Sequence, residues 1–136
     1  MNDIVISGYY GFENLGDEAV LAGILHSLQQ EKRNLDIIVL SGNPDLTEKR
    51  YGVKAINRTD LVKIIKVIKN SKVFISGGGS LLQDVTGWKS IPYYLGLTGL
   101  AQLFNKYTVF YAQGIGPIQN EYFKKMIKYI GKRVDL

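Results

Sequence analysis

Residue types suited to substrate chemistry concentrate in segment 8–18, Gly-Tyr-Tyr-Gly-Phe-Glu-Asn-Leu-Gly-Asp-Glu. Glycines let backbone N–H groups approach a ligand closely, and the N-terminus of a following helix favours anions. A carboxylate can orient or deprotonate a hydroxyl group, so Asp17 and Glu18 are candidate catalytic residues, with Glu13 as a third. The simpler interpretation is that Asp17 caps the helix and Glu18 complements its dipole. We expect Asn14 to fix the loop or to bind a sugar hydroxyl through its amide.

Two further segments have the composition of ligand-binding loops. Segment 76–84, Ser-Gly-Gly-Gly-Ser-Leu-Leu-Gln-Asp, contains three consecutive glycines that can form a nest of amide groups around a phosphate or carboxylate. The alternative is a flexible turn. Segment 111–117, Tyr-Ala-Gln-Gly-Ile-Gly-Pro, offers a sugar hydroxyl both the donor and the acceptor of Gln113, unless it is only a packed corner between a strand and a helix.

Several classes of site are disfavoured. The spacing of Gly8, Gly11 and Gly16 does not match the dinucleotide-binding pattern, and no phosphate-binding loop with Gly-Lys-Ser/Thr is present. The absence of cysteine excludes a disulfide scaffold, a thiolate metal site and a cysteine nucleophile. His26, the only histidine, falls away from the apolar side of its helix, so we expect it to be solvated and predict no metal site.

Alternating strands and helices are predicted to position these segments. We expect strands at residues 3–8, 35–40, 53–56, 73–75, 107–112 and 134–136, and helices from about Gly16, at 44–51, after a Thr59 cap, at 91–104 and at 120–130. This pattern indicates parallel βαβ units in a doubly wound, Rossmann-like α/β sheet of order 3-2-1-4-5. In such a sheet the three loop segments follow strands 1, 4 and 5, at the carboxyl edge where ligands bind.

Apolar periodicity predicts which side of each helix packs on the sheet. The first helix has an apolar stripe of Val20, Leu21, Ile24, Leu25 and Leu28. The helix after Thr59 has a predicted apolar face of Leu61, Val62, Ile65 and Ile68, with Lys63, Lys66 and Lys69 opposite. The uncharged segment 91–104 is expected to form a buried helix, or alternatively to contact a lipid-linked acceptor at the membrane surface.

Composition indicates one globular domain spanning residues 1–136, of which 46% are apolar. The net charge of +5 is spread along the helices, so it indicates solvated helix faces rather than a nucleic-acid interface. We find neither a signal peptide nor a membrane-spanning run and expect a cytoplasmic protein. The chain stops at the start of an expected strand, so it is predicted to be truncated; the apolar surface left uncovered would favour self-association.

Segments 8–18, 76–84 and 111–117 together resemble the polysaccharide pyruvyl transferase family, particularly the bacterial type that modifies secondary cell-wall polymers. The similarity extends over essentially the whole chain, and the long first segment is its specific part. The resemblance implies a glycosyltransferase-B-like fold with the active site between two Rossmann-like halves. This chain would be the N-terminal half, and the family's basic residues for the donor are expected in a C-terminal half that the sequence lacks.

The resemblance also implies a reaction. The enolpyruvyl unit of phosphoenolpyruvate is transferred to two hydroxyls of a sugar, which forms a cyclic pyruvate ketal and releases phosphate. The acceptor would be an N-acetylmannosamine-like residue on a lipid-linked precursor, whose ketal surface-layer proteins recognise. No metal or nucleotide cofactor is implied, and this half alone would be inactive. The residues expected to contact substrate are Tyr10, Gly11, Asn14, Gly16, Asp17, Gly77, Gly78, Gly79, Ser80, Gln83, Asp84, Gln113 and Gly114.

Two other functions are compatible with the residues. One is a sugar- or anion-binding module without catalysis, and the other is a lobe of a nucleotide-sugar glycosyltransferase with the same architecture. Activity in the presence of a second lobe separates the transferase from the binding module. Dependence on phosphoenolpyruvate rather than on a nucleotide sugar separates it from the glycosyltransferase.

Overall fold

A computed structural model describes residues 3–13, 15–31, 34–77 and 90–111 of the chain. Strands and helices alternate throughout these ranges. In chain order the elements are β1 (Ile4–Ser7), α1 (Leu15–Glu31), β2 (Ile37–Ser41), α2 (Pro44–Tyr51), β3 (Lys54–Asn57), α3 (Leu61–Lys69), β4 (Val73–Gly77), α4 (Ser90–Leu103) and β5 (Tyr107–Tyr111). The helix predicted at 120–130 and the strand predicted at 134–136 lie outside the described residues.

The described strands form one parallel sheet of five strands in the order β3-β2-β1-β4-β5, as predicted. Strand β1 is central, with β2 on one side and β4 on the other. The chain therefore crosses to one side after β1 and later returns to the other, which creates a topological switch point at the carboxyl ends of β1 and β4. In that register Ser7 pairs with Ser76.

Helices cover both faces of the sheet. On one face, α1 packs Leu21, Ile24, Leu25 and Leu28 against inward residues of the strands such as Ile6. On the other face, Ile64 and Ile68 of α3 and Leu97 and Ala101 of α4 pack against Val5, Leu40 and Phe74. The α1 stripe predicted from periodicity is confirmed, with Val20 only partly buried at its margin. His26 is exposed, as predicted.

The predicted orientation of α3 is wrong. Ile64 and Ile68 are fully buried, whereas Leu61, Val62 and Ile65 expose 59%, 66% and 42% of their surface. The helix is apolar over most of its circumference, so two overlapping stripes compete, and the stripe through Ile64 and Ile68 packs on the sheet. Ile68 belongs to both stripes, and of the four residues predicted to form the buried face it alone is buried.

The predicted Thr59 cap of α3 is also wrong. Asp60 is the N-cap, and its Oδ1 accepts a hydrogen bond from the Lys63 N–H at 3.3 Å. Thr59 instead donates its N–H and its hydroxyl to Asn57 Oδ1, at 2.9 and 2.7 Å. Thr59 thus closes the turn after β3, which leaves the aspartate to begin the helix. None of the helices in the described ranges combines the length and hydrophobicity needed to cross a membrane.

Candidate functional site

The carboxyl edge of the sheet brings together the starts of the three predicted loops. Strands β1, β4 and β5 are adjacent, with Ser7 paired to Ser76 and Gly77 paired to Tyr111. The loop after β1, residues 8–14, and the segments after Gly77 and Tyr111 therefore leave the sheet side by side. The Ser7 hydroxyl is buried at this edge and has no hydrogen-bond partner among the described residues.

Glu18, in the first turn of α1, is the centre of a partly buried polar network, which we call the Glu18 corner; it also includes Gly11, Arg50 and Tyr51. Its Oε2 accepts a hydrogen bond from the Gly11 N–H at 3.0 Å, and its Oε1 accepts one from the Tyr51 hydroxyl at 2.7 Å. The Arg50 guanidinium lies 3.5 Å from the same Oε1. The Glu18 side chain is 9% exposed. One carboxylate therefore joins the loop after β1 to the end of α2.

Within this corner, the environment of Tyr51 keeps its phenol protonated. The pKa of Tyr51 is raised from 10.0 to about 12, chiefly by burial and also by the hydrogen bond to the negative Glu18 carboxylate, while Arg50 opposes the shift. The phenol therefore remains a hydrogen-bond donor to Glu18 across the physiological range. Because each carboxylate oxygen of Glu18 has a donor, the network is suited to holding the loop after β1 in one conformation.

The loop after β1 is fastened to the turn between β2 and α2. The Gly42 N–H donates to the Tyr10 carbonyl at 2.8 Å, and the Asn43 N–H donates to Ser41 Oγ at 2.9 Å. Gly11 has φ of +86°, and a Cβ there would overlap Ser41 Oγ and the Asn43 nitrogen. Glycine is therefore required at position 11 both by backbone conformation and by close approach.

A second cluster at the same edge is aromatic. The rings of Tyr9 and Phe12 stack with centroids 4.3 Å apart and planes 17° apart. The Arg58 guanidinium, from the turn after β3, lies 5.6 Å from the Tyr9 centroid and 5.3 Å from the Phe12 centroid. Phe12 is 42% exposed. We call these three residues the aromatic platform.

The predicted site residues are distributed unevenly between surface and interior. Asp17 and Glu18 are buried in the first turn of α1, where Gly16 is exposed. Glu13 is exposed and has a left-handed φ of +59°. The Tyr10 side chain has no exposed surface and belongs to the core beneath α1, so its contact with substrate stays a prediction. Gly11 lies in the loop after β1, and Gly77 is the last residue of β4. The other predicted contacts lie outside the described residues: Asn14, Gly78, Gly79, Ser80, Gln83, Asp84, Gln113 and Gly114.

Sequence reasoning missed the partners that other elements supply. Arg50 and Tyr51 reach Glu18 from the end of α2, and Arg58 reaches the aromatic rings from the turn after β3. Nothing in the local sequence marks Arg50 or Tyr51. The sequence does show that segment 8–18 contains three aromatic residues, Tyr9, Tyr10 and Phe12, and this clustering is the signal that could have suggested an aromatic surface.

A comparison with protein-family models gives one finding for this chain. A model described as polysaccharide pyruvyl transferase matches residues 14–136, from the end of the loop after β1 onward. No curated protein and no solved structure matches the chain. The match includes α1 with Asp17 and Glu18, strands β4 and β5, and the glycine-rich segment after β4, whereas β1 lies before the matched residues.

Proposed function

Because the chain belongs to the polysaccharide pyruvyl transferase family, we propose that it forms the N-terminal lobe of an enzyme that transfers the enolpyruvyl group of phosphoenolpyruvate to a saccharide. In this proposal the acceptor is a cell-wall polysaccharide residue similar to N-acetylmannosamine, carried on a lipid, and the product is its pyruvate ketal. A second Rossmann-like lobe completes a glycosyltransferase-B-like cleft and supplies the cationic residues that bind the donor phosphate and carboxylate.

The observation that carries the proposal is the arrangement at the switch point. The N-terminus of α1, with its buried Asp17 and Glu18, follows the loop after β1, and the glycine-rich segment begins at Gly77 of the neighbouring β4. Both matched segments thus begin at the edge where open α/β sheets bind ligands. The buried Ser7 hydroxyl between them adds a polar group suited to a substrate oxygen.

The proposed reaction needs two proton movements. One acceptor hydroxyl adds to the substituted carbon of phosphoenolpyruvate while its methylene carbon gains a proton, and the second hydroxyl then displaces phosphate. The protons of the two hydroxyls balance the new methyl group and the departing phosphate. We assign Asp17 the role of orienting or deprotonating an acceptor hydroxyl. We assign Glu18 a positioning role, because Gly11, Tyr51 and Arg50 already engage its oxygens.

The remaining features of the proposal come from the family membership and the parallel sheet. The three glycines at 77–79 would bind an anionic group of a substrate through backbone amides. The enzyme would work in the cytoplasm at the inner face of the membrane, where a lipid-linked acceptor is made, and the ketal carboxylate would serve to anchor surface-layer proteins. No metal or nucleotide cofactor and no nucleic acid enters the proposed reaction. We expect the isolated lobe to self-associate through apolar surface that the second lobe would cover.

The test is a transfer assay with the full-length enzyme, phosphoenolpyruvate and an N-acetylmannosaminide acceptor. The proposal expects inorganic phosphate and a ketal-bearing acceptor to form in equal amounts, and the chain alone to form neither. Saccharide binding without turnover by the full-length protein would instead support a binding module. Transfer from a nucleotide sugar, with none from phosphoenolpyruvate, would support a glycosyltransferase.

A further inference from the structure

The aromatic platform places an apolar surface at the carboxyl edge of the sheet, where the proposed function requires a substrate to bind. Phe12 exposes 42% of its surface, and its ring is stacked on that of the half-buried Tyr9. Leaving a large aromatic ring in water forfeits the free energy of burying it. Single exposed apolar residues are common on protein surfaces. Two stacked rings beside a cation at the carboxyl edge are a more specific arrangement, which calls for an explanation.

Three separate parts of the chain hold the platform in place. The loop after β1 supplies both rings, and the turn after β2 contributes Gly42, where a Cβ would overlap the Phe12 ring. The turn after β3 supplies Arg58, whose guanidinium lies 5.3 Å from the Phe12 centroid. The Arg58 N–H donates to the Ser41 carbonyl at 3.0 Å, so the backbone that carries the guanidinium is fixed to the end of β2. The platform is therefore preorganised before any ligand arrives.

The chemistry of this surface fits a sugar ring. A pyranose presents C–H groups with partial positive charge on one face, and the face of an aromatic ring carries the complementary negative charge. The hydroxyl oxygens at the rim of the sugar are acceptors for a guanidinium, which has five N–H donors and no acceptor. Phosphoenolpyruvate is small and highly anionic and has no apolar face to stack.

We propose that Tyr9, Phe12 and Arg58 form a saccharide subsite that binds a pyranose residue of the acceptor. The inference rests on the proposed function, because it takes the acceptor to be a saccharide. Chain connectivity supports it: the loop that carries Phe12 continues directly into the first turn of α1, where Asp17 lies. A sugar stacked on the platform would therefore approach the same loop and helix terminus as the reacting hydroxyls.

The test compares Phe12→Ala and Phe12→Leu in the full-length enzyme, with Leu15→Ala as the matched control. Leu15 is 86% exposed, three residues further along the chain, and lies outside the platform. We expect Phe12→Ala to raise the acceptor KM about fivefold to tenfold, because ring stacking is lost, while the phosphoenolpyruvate KM stays within about twofold. Phe12→Leu keeps an apolar side chain against Gly42 but has no ring, so it should weaken acceptor binding too. Leu15→Ala should behave like the wild type.

An unchanged acceptor KM in both Phe12→Ala and Phe12→Leu would overturn the inference, and so would an increase confined to the phosphoenolpyruvate KM. If wild-type enzyme transfers from phosphoenolpyruvate while these variants keep a normal acceptor KM, the subsite is wrong and the proposed function stands. If wild-type enzyme shows no transfer, calorimetric titration of an N-acetylmannosaminide disaccharide into wild type and Phe12→Leu still decides the subsite. Equal affinity in that titration, or no saccharide binding by wild type, would contradict it.

Discussion

The Glu18 corner and the aromatic platform flank the same loop after β1 but differ in almost every physical property. The Glu18 corner is polar and partly buried, and each carboxylate oxygen of Glu18 has a donor. The platform is aromatic, and its outer ring is 42% exposed. Buried, satisfied hydrogen bonds fix a conformation, whereas exposed and fixed apolar surface offers binding energy to a ligand. We therefore propose that one side of the loop positions it and that the other side contacts substrate.

The largest effect should come from removing the carboxylate of the Glu18 corner. Glu18→Ala removes the acceptor of the Gly11 N–H, the shorter of the two hydrogen bonds of the Tyr51 hydroxyl and the partner of the half-exposed Arg50, and we expect it to lower the free energy of unfolding by about 2–3 kcal/mol. Urea denaturation measures this change. The matched control is Glu48→Ala, since Glu48 accepts one exposed backbone hydrogen bond from Ala55 at 3.1 Å, and its loss should cost about 1 kcal/mol or less. Equal losses for the two variants would show that the Glu18 corner does not hold the loop.

A smaller effect is expected where the platform meets the turn after β2. Gly42→Ala introduces a Cβ that overlaps the Phe12 ring, and forcing the ring aside should cost about 1–2 kcal/mol of stability. The chemical shifts of the ring protons of Tyr9 and Phe12, read by NMR, would change as the stack separates. Gly23→Ala is the control, because an added Cβ there has no neighbour within 4 Å and alanine favours the helix. If Gly42→Ala leaves both stability and the ring shifts unchanged, the platform is not packed against this turn.

The phenol of Tyr51 should contribute less than the carboxylate it contacts, and its contribution should depend on pH. Tyr51→Phe removes one hydrogen bond to a charged acceptor and should cost about 1–2 kcal/mol near pH 8. The folded-state pKa of Tyr51 is raised to about 12 from 10.0, so the stabilisation is complete below pH 10 and is lost as the pH rises toward 12. The stability difference between wild type and Tyr51→Phe should therefore shrink over that interval. A difference that stays constant from pH 8 to 12 would contradict the assigned contact.

The smallest effect on stability should come from the exposed ring of the platform. Phe12→Leu retains apolar contact with Gly42, and its partly exposed position should limit the loss to about 0.5–1 kcal/mol. Thermal unfolding of wild type, Phe12→Leu and Glu18→Ala measures the difference between the two stability losses directly. A loss from Phe12→Leu as large as that from Glu18→Ala would mean that Phe12 is a structural residue, which would remove the distinction between the two sides of the loop.

Much of the fold was predictable because its signals are local. The apolar stripe of α1 is unambiguous, because Ile24, Leu25 and Leu28 lie on one side of the helix and polar residues such as His26 and Gln29 lie on the other. The order of the strands followed from the alternation of elements and from the handedness of their connections. In α3 the same reasoning failed, because Ile64 and Ile65 are equally apolar neighbours and only packing decides that Ile64 is buried and Ile65 is 42% exposed.

The candidate site was predictable only in part, for a related reason. Segment 8–18 was predicted correctly to follow β1 at the carboxyl edge of the sheet, whereas its binding of a ligand stays a prediction. The groups that determine what each side of the loop does come from elsewhere: Tyr51 and Arg50 from α2, and Arg58 after β3. Contacts across such sequence separations leave no periodic pattern, so the distinction between positioning and binding residues required coordinates.

The central claim is that substrate binds at the carboxyl edge of the sheet, on the platform side of the loop after β1. The most direct measurement is a titration of the chain with an N-acetylmannosaminide and, separately, with phosphoenolpyruvate, in which backbone amide shifts are followed by NMR. The account predicts that the saccharide shifts amides at residues 8–18 and at Arg58, with little change along the exposed side of α3. Saccharide-induced shifts centred on α3, or no shifts in a folded sample at saturating saccharide, would contradict it.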